Sequence, residues 1–127
     1  MSENSDFVRN AYKALVAADI PALREMLSDD IVWHTCGWGP LKGDYRGKDA
    51  VIDMVSRFRA MTDGLSREEV ETFLEDGNRV VAVMTSTQQG SPHIASKHVD
   101  IWDFRDGKLV EYWAIQADQE AGALALS

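Results

Sequence analysis

The sequence has little of what builds disulfide frameworks, metal clusters or membrane spans. Its 127 residues include one cysteine, Cys36, and three histidines. A lone cysteine excludes an internal disulfide, and no CxxC or HExxH spacing is present, so we expect no metal and no organic cofactor. No stretch approaches the roughly 18 apolar residues that a membrane span needs, and the first residues lack the basic start and apolar run of a signal peptide. We therefore expect a cytoplasmic protein.

Basic residues are also scarce, with 13 Lys and Arg against 21 Asp and Glu and a net charge of −8. This balance provides no attraction for phosphate backbones or anionic lipids, so we expect neither a nucleic acid nor a membrane as partner. The length fits a single domain spanning residues 1–127, long enough to bury about two-thirds of its unfolded surface.

Apolar residues recur at helical spacing in three places in the first half of the chain. We predict helices over residues 5–18 and 48–61, and between them a short helix that Asp19 caps, with Pro21 in its first turn, and that ends near Ser28. Residues 31–35 are rich in β-branched and aromatic side chains and predict a strand, and the glycine-rich residues 36–47 predict a long loop.

The second half of the chain predicts strands at residues 66–75, 79–89, 93–104 and 108–117, separated by Asp-Gly and Gly-Ser-Pro breaks. These four strands predict an antiparallel meander. Helices followed by strands are typical of an α+β domain. We predict a curved antiparallel sheet packed on three N-terminal helices, with one largely apolar internal pocket.

The strand at 93–104 alternates in a way that assigns its faces. One face carries His98, Asp100, Trp102 and Phe104, and the other carries Lys97, Val99, Ile101 and Asp103. Both faces hold apolar residues, and three helices can cover only one of them. We therefore predict a homodimer through the outer face, with lone exposed β-formers as the alternative.

Several ordered segments resemble the nuclear transport factor 2-like superfamily and, within it, the SnoaL-like polyketide cyclases and ketosteroid isomerase relatives. They are Tyr12 with Asp19, LSDDIVWH at 27–34, GPLKGDYRG at 39–47, DGKLVEYW at 106–113, and Asp118. The resemblance covers nearly the whole chain. It implies a cone-shaped barrel with a pocket between sheet and helices, usually in a dimer, and leaves the chemistry open.

The resemblance to ketosteroid isomerases is partial. Asp100 falls where those enzymes keep an oxyanion-stabilising Asp, on the same face as Trp102. Their base position falls at Thr35, beside His34, and their Tyr position falls at Ala11, one residue before Tyr12. The superfamily's epoxide hydrolases use an Arg and two acids, and the matching strands here lack that set.

The SnoaL-like cyclases imply a further acid-base residue just past the last strand, where this chain has Asp118. A carboxylate there suits proton abstraction next to a ketone. The hypothesis is an acid-base enzyme acting on a small apolar carbonyl compound. Asp118 and Asp100 move or hold protons, and His98 and His34 orient the ligand. The pocket walls are Tyr12, Trp33, Trp102 and Trp113.

Each of these residues also has a structural interpretation. His98 suits a core histidine bonded to a carbonyl, Asp100 an ion pair, Tyr12 a core position and Asp118 a helix cap. His34 faces the interior only if its neighbours Trp33 and Thr35 do not, and a β-bulge in the last strand would reverse the face that holds Trp113. A noncatalytic ligand carrier and a dimeric interaction module with a filled interior remain alternatives.

Overall fold

The structure is a computed structural model that describes residues 3–17, 19–36, 41–62, 66–88 and 91–116. Within these ranges the chain forms three helices and six strands. They are α1 (Glu3–Ala17), α2 (Ile20–Met26), β1 (Leu27–Cys36), β2 (Gly43–Arg46), α3 (Lys48–Thr62), β3 (Ser66–Asp76), β4 (Arg79–Gln88), β5 (Ser91–Arg105) and β6 (Lys108–Gln116). None of the described helices is long and apolar enough to cross a membrane.

The helices follow the signals in the sequence. The Asp19 side chain caps α2 by accepting a hydrogen bond from the backbone N–H of Ala22 at 3.3 Å. Pro21 lies in the first turn of α2, where its missing N–H costs no helical hydrogen bond. The predicted α+β class, with three helices preceding a strand meander, is confirmed.

The six strands form one curved sheet in the order β2-β1-β6-β5-β4-β3. The predicted meander of β3 to β6 is confirmed, and its pairings are antiparallel. The predicted curved sheet on three helices is confirmed with one difference, because β1 pairs with β6 in parallel and the sheet is therefore mixed rather than antiparallel throughout. Over the described residues the sheet does not close, since β2 and β3 occupy opposite ends of the strand order.

A four-residue strand, β2, lies within the predicted loop of residues 36–47. It pairs antiparallel with β1, placing Trp33 opposite Tyr45 and His34 opposite Asp44. Strand β1 also starts earlier than the predicted residue 31, at Leu27. The long β1 therefore carries pairing partners on both sides, β2 on one and β6 on the other.

The helices pack on one face of the sheet, which we call the inner face; the opposite one is the outer face. Phe7 of α1 contacts Phe104 of β5 edge to face, with ring centroids 4.8 Å apart. Val80, Ala82 and Met84 of β4 are each 0% exposed on this face. The core lies between the inner face and the helices.

Candidate functional site

The alternation predicted for β5 is confirmed and places polar groups inside the core. His98, Asp100, Trp102 and Phe104 are all buried, and Asp100 is 0% exposed. Strand neighbours β4 and β6 place Ala82 and Ala114 on either side of Asp100. The carboxylate therefore lies in a row of small side chains at the centre of the inner face.

Two side chains hold the Asp100 carboxylate. The Tyr12 hydroxyl donates to Asp100 Oδ2 at 2.5 Å. His98 Nδ1 lies 2.9 Å from Asp100 Oδ1 and forms a buried ion pair with it when the ring is protonated. Residues two apart on a strand lie about 6.6 Å apart along it, and the side chains of His98 and Asp100 cross that spacing to reach hydrogen-bond distance.

The indole of Trp102 fixes the direction of the Tyr12 hydrogen bond. Trp102 Nε1 donates to the Tyr12 oxygen at 3.3 Å, and an indole nitrogen can only donate. The Tyr12 hydroxyl thus accepts a hydrogen bond from Trp102 and donates one to Asp100. The result is a directed chain from Trp102 through Tyr12 to the carboxylate, with His98 on the other oxygen.

Aromatic rings surround this chain of hydrogen bonds. Trp33 lies against Tyr112 with ring centroids 3.8 Å apart, and Trp102 contacts Tyr112 edge to face at 4.8 Å. Tyr12 contacts Trp102 edge to face at 5.2 Å. Three of the four predicted wall residues, Tyr12, Trp33 and Trp102, therefore lie together on the inner side, where Tyr112 joins them.

Two polar atoms in this interior have no hydrogen-bond partner within the part of the chain that the structure describes. They are Trp33 Nε1 and Gln116 Oε1, and their side chains belong to residues only 6% and 4% exposed. Gln116 lies opposite His98 in the sheet. Neither Tyr112 nor Gln116 was predicted as a site residue, although alternation from Ala114 places both on the inner face.

His34 and Trp113 lie on the outer face and away from Asp100, which corrects their predicted place among the pocket residues. Strand β1 turns Trp33 and Thr35 inward, so His34 points outward, opposite Trp113 on β6. Their rings stack with centroids 5.2 Å apart and an angle of 17°. His34 therefore lies on the opposite face of the sheet from Asp100.

A β-bulge accounts for the orientation of Trp113. Asp103 pairs with Glu111 while the next residue, Phe104, pairs with Leu109, so Val110 is an extra residue in β6. Without it, residues 109, 111 and 113 would share a face. With it, Tyr112 turns inward and Trp113 outward.

Two carboxylates hold the His34 ring on the outer face. Nδ1 lies 2.6 Å from Asp44 Oδ1, and Nε2 lies 2.7 Å from Glu111 Oε2. Burial of the ring favours its neutral form, but the two carboxylates outweigh that effect and raise the pKa of His34. When the ring is protonated, it links β2 to β6 across β1 through two ion pairs.

Asp118 lies outside the described residues, so its role stays a prediction. Among the described residues, no cluster of three or more His, Cys, Asp or Glu side chains is arranged to hold a metal ion.

Comparison with known proteins gives a family match and several structural ones. The model of the SnoaL-like domain matches residues 8–112. No match is found among curated proteins.

Three solved structures illustrate the structural similarity. An NTF2-like protein of unknown function from Burkholderia pseudomallei K96243 is 27% identical, with a TM-score of 0.83 and coverage of 100% of this chain and 99% of its own. Bal32a, from a soil-derived mobile gene cassette, is 22% identical with a TM-score of 0.86, covering 98% and 96%. TerC, co-crystallised with polyporic acid, is 22% identical with a TM-score of 0.83, covering 98% of each chain.

Proposed function

Because this chain belongs to the SnoaL-like domain family, we propose that it is a cofactor-independent acid-base enzyme acting on a small, mostly apolar carbonyl compound. The observation that carries the proposal is the fully buried Asp100 carboxylate, hydrogen-bonded by Tyr12 and His98 on an aromatic inner face. A buried carboxylate with defined donors is a typical proton-transfer group.

In the proposed reaction, Asp100 takes a proton from the carbon next to the ketone. The C–H bond breaks, its electron pair forms the enolate, and the proton moves to the carboxylate. Each carboxylate oxygen keeps lone pairs beyond those that Tyr12 and His98 use, so it can accept this proton. If a C=C bond of the substrate is conjugated with the enolate, returning the proton to its far carbon shifts the double bond and isomerises the substrate. If the enolate carbon instead attacks a second carbonyl of the same molecule, a C–C bond closes the ring, the C=O π electrons move to that oxygen, and the oxygen takes the proton from Asp100.

Tyr12 and His98 position Asp100 in this scheme. The Tyr12 hydroxyl fixes one carboxylate oxygen, and the His98 ring fixes the other and compensates its charge when protonated. Asp118 is proposed as a second acid-base residue on the strength of the family resemblance alone. Its contribution is tested together with that of Asp100.

The experiment starts with a thermal-shift screen against ring ketones, phenols, steroids and terpenoids. Polyporic acid joins the panel because TerC was co-crystallised with it. A ligand at about 100 times its Kd adds about 2.7 kcal/mol of stability, enough to raise Tm by several degrees. A class that shifts Tm is then assayed for turnover.

Asp100→Asn and Asp118→Asn test the chemistry on that substrate, since each keeps the side-chain shape and removes the ionisable group. General acid-base catalysis typically contributes 10²–10⁴-fold, so we expect kcat to fall by about that factor for Asp100→Asn. Asp103→Asn is the matched control, because Asp103 lies on the outer face of the same strand, paired with Arg79. Unchanged turnover in both test variants would contradict the proposal.

A noncatalytic ligand carrier is the second candidate. It is favoured by the fact that both Asp100 oxygens already have partners in the protein, as in a structural network. A carrier would show the same thermal shifts and no turnover of any bound compound.

We also propose that the outer face pairs with a second copy of the chain. Val99 and Ile101 are only partly buried there, and Ile115 and Leu74 are 40% and 59% exposed. Apolar side chains of adjacent strands thus form a surface that the helices do not cover. A homodimer would bury it.

A further inference from the structure

Two buried polar atoms, Trp33 Nε1 and Gln116 Oε1, have no hydrogen-bond partner among the described residues, and their chemistry is complementary. An indole N–H can only donate, so its missing partner is an acceptor. An amide oxygen can only accept, so its missing partner is a donor. Buried polar groups are nearly always paired in native proteins, and both atoms lie beside the proposed reaction centre.

The sheet register places these atoms at opposite ends of that centre. Trp33 pairs with Tyr112, Asp100 lies opposite Ala114, and Gln116 lies opposite His98. On β6 the residues from Tyr112 to Gln116 span about 13 Å, with Ala114 midway. Asp100 is therefore between the indole end and the amide end of the inner face.

The side chains between the two ends are flat or small. Trp33, Tyr112 and Trp102 supply aromatic surfaces, and Ala82 and Ala114 flank Asp100. Aromatic surfaces favour a ligand with flat rings, and an interior with few polar groups favours a ligand that is largely apolar. A compound of about two rings has the size to reach from one end toward the other.

We propose that Trp33 and Gln116 are the specificity-determining contacts of the site. Trp33 Nε1 donates to a ketone oxygen, Gln116 Oε1 accepts from a hydroxyl at the far end, and the ligand is a ring hydroxyketone. This inference rests on the proposed function, because it assigns the polar ends of the same ligand. It places the ketone at the indole, where the N–H also meets the charge that develops on the enolate oxygen.

The test uses three matched two-ring probes. The hydroxyketone probe is 6-hydroxy-1-tetralone, the ketone probe is 1-tetralone, and the hydroxyl probe is 5,6,7,8-tetrahydro-2-naphthol. Each is titrated into the full chain by isothermal titration calorimetry. We expect the hydroxyketone probe to bind most tightly, and loss of either polar group to weaken binding on the order of three- to tenfold.

Two variants remove one polar group each, the indole N–H in Trp33→Phe and the side-chain amide in Gln116→Met, and both leave an apolar side chain. Trp33→Phe should weaken the binding of the hydroxyketone and ketone probes on the order of three- to tenfold and leave the binding of the hydroxyl probe unchanged. Gln116→Met should weaken the binding of the hydroxyketone and hydroxyl probes and leave the binding of the ketone probe unchanged. Gln116→Glu keeps an acceptor and should keep the preference for a hydroxyl.

Trp113→Phe is the control for Trp33→Phe, since it makes the same change on the outer face. Thermal melting of every variant establishes that it folds. Binding of the probes without this variant-by-probe pattern would overturn the inference and leave the proposed function standing. Absence of binding by all three probes to the unmodified protein would overturn the inference, whereas the proposed function is decided separately by the ligand screen and the turnover of the Asp100→Asn and Asp118→Asn variants.

Discussion

Tyr12 and Asp100 are 88 residues apart in the chain and are joined by a buried hydrogen bond of 2.5 Å. The bond connects α1 to the middle of β5, and the Trp102 indole supports it from the other side of the hydroxyl. This contact therefore couples the packing of the first helix to the geometry of the proposed reaction centre.

Replacing Tyr12 by Phe should destabilise the protein by about 1–3 kcal/mol. The change removes the donor to Asp100 and the acceptor for Trp102, and both remaining groups are buried. Urea unfolding followed by circular dichroism measures the free energy of unfolding.

Tyr45→Phe is the matched control for this change. The Tyr45 hydroxyl donates to the backbone oxygen of Leu41 at 2.8 Å in a partly buried position, where water can replace the lost partner. We expect Tyr45→Phe to lower the free energy of unfolding by less than Tyr12→Phe does. Equal decreases would show that the Tyr12 contact with Asp100 stabilises the protein no more than an ordinary, partly exposed hydrogen bond.

Stability should depend on the protonation of His34. Its pKa is raised in the folded state, so the folded protein holds this proton more tightly than the unfolded chain does. The resulting stabilisation is fully present below the ordinary histidine pKa of about 6.5 and is lost as the pH rises through the raised pKa. Urea unfolding from about pH 5.5 to about pH 9 should show this decline.

His34→Gln isolates the contribution of this ring, because the other titrating groups are common to both proteins. The difference in the free energy of unfolding between the two proteins should shrink with rising pH across that window. Parallel curves would mean that the Asp44 and Glu111 contacts do not hold a protonated ring.

Cys36 should react slowly with alkylating agents. Burial raises the pKa of its thiol, the nearby charge of Asp44 raises the pKa further, and Lys42 opposes these effects. Alkylation by iodoacetamide near pH 7.5 should be slower than that of glutathione, and Asp44→Asn should accelerate it. A Cys36 rate above that of glutathione would contradict this prediction.

Ile115→Lys should prevent the proposed dimer. Ile115 is 40% exposed and lies opposite Val99 on the outer face, so a lysine there would place a charge in the middle of the contact. Light scattering coupled to gel filtration at about 10 µM would report the mass. Met61→Lys changes a residue of α3 with 38% exposure and should leave the dimer intact. A monomeric unmodified protein would contradict the proposal.

The elements that depend on local signals could be predicted from the sequence. Asp19 and Pro21 mark the start of α2, and the alternation of β5 places Asp100 and Trp102 inside. Strand β2 was missed because four residues in a glycine-rich segment carry too short a pattern. The parallel pairing of β1 with β6 was also missed, since it depends on how distant strands meet rather than on either strand's composition.

The candidate site could be predicted where the sequence pattern shows which side chains of a strand or helix face the core. Asp100, His98, Tyr12 and Trp102 come together as their strand and helix patterns indicate. The face of His34 was predicted wrongly because both faces of β1 carry side chains that could line a pocket, and only the packing of the core decides between the two faces. The hydrogen bond from His98 to Asp100 depends on side-chain torsions that strand spacing does not fix.

The extra residue in β6 makes chain length as important there as side-chain identity. Deleting Val110 would exchange the interior and exterior of the β6 residues that follow it, turning Tyr112 and Gln116 outward and Trp113 and Ile115 inward. A gene that lost this single codon would lose part of the core and the polar end of the site at once, whereas replacing the partly buried Val110 side chain keeps the register of β6. Over evolutionary time, insertions and deletions should therefore be purged from this segment more strictly than amino-acid replacements.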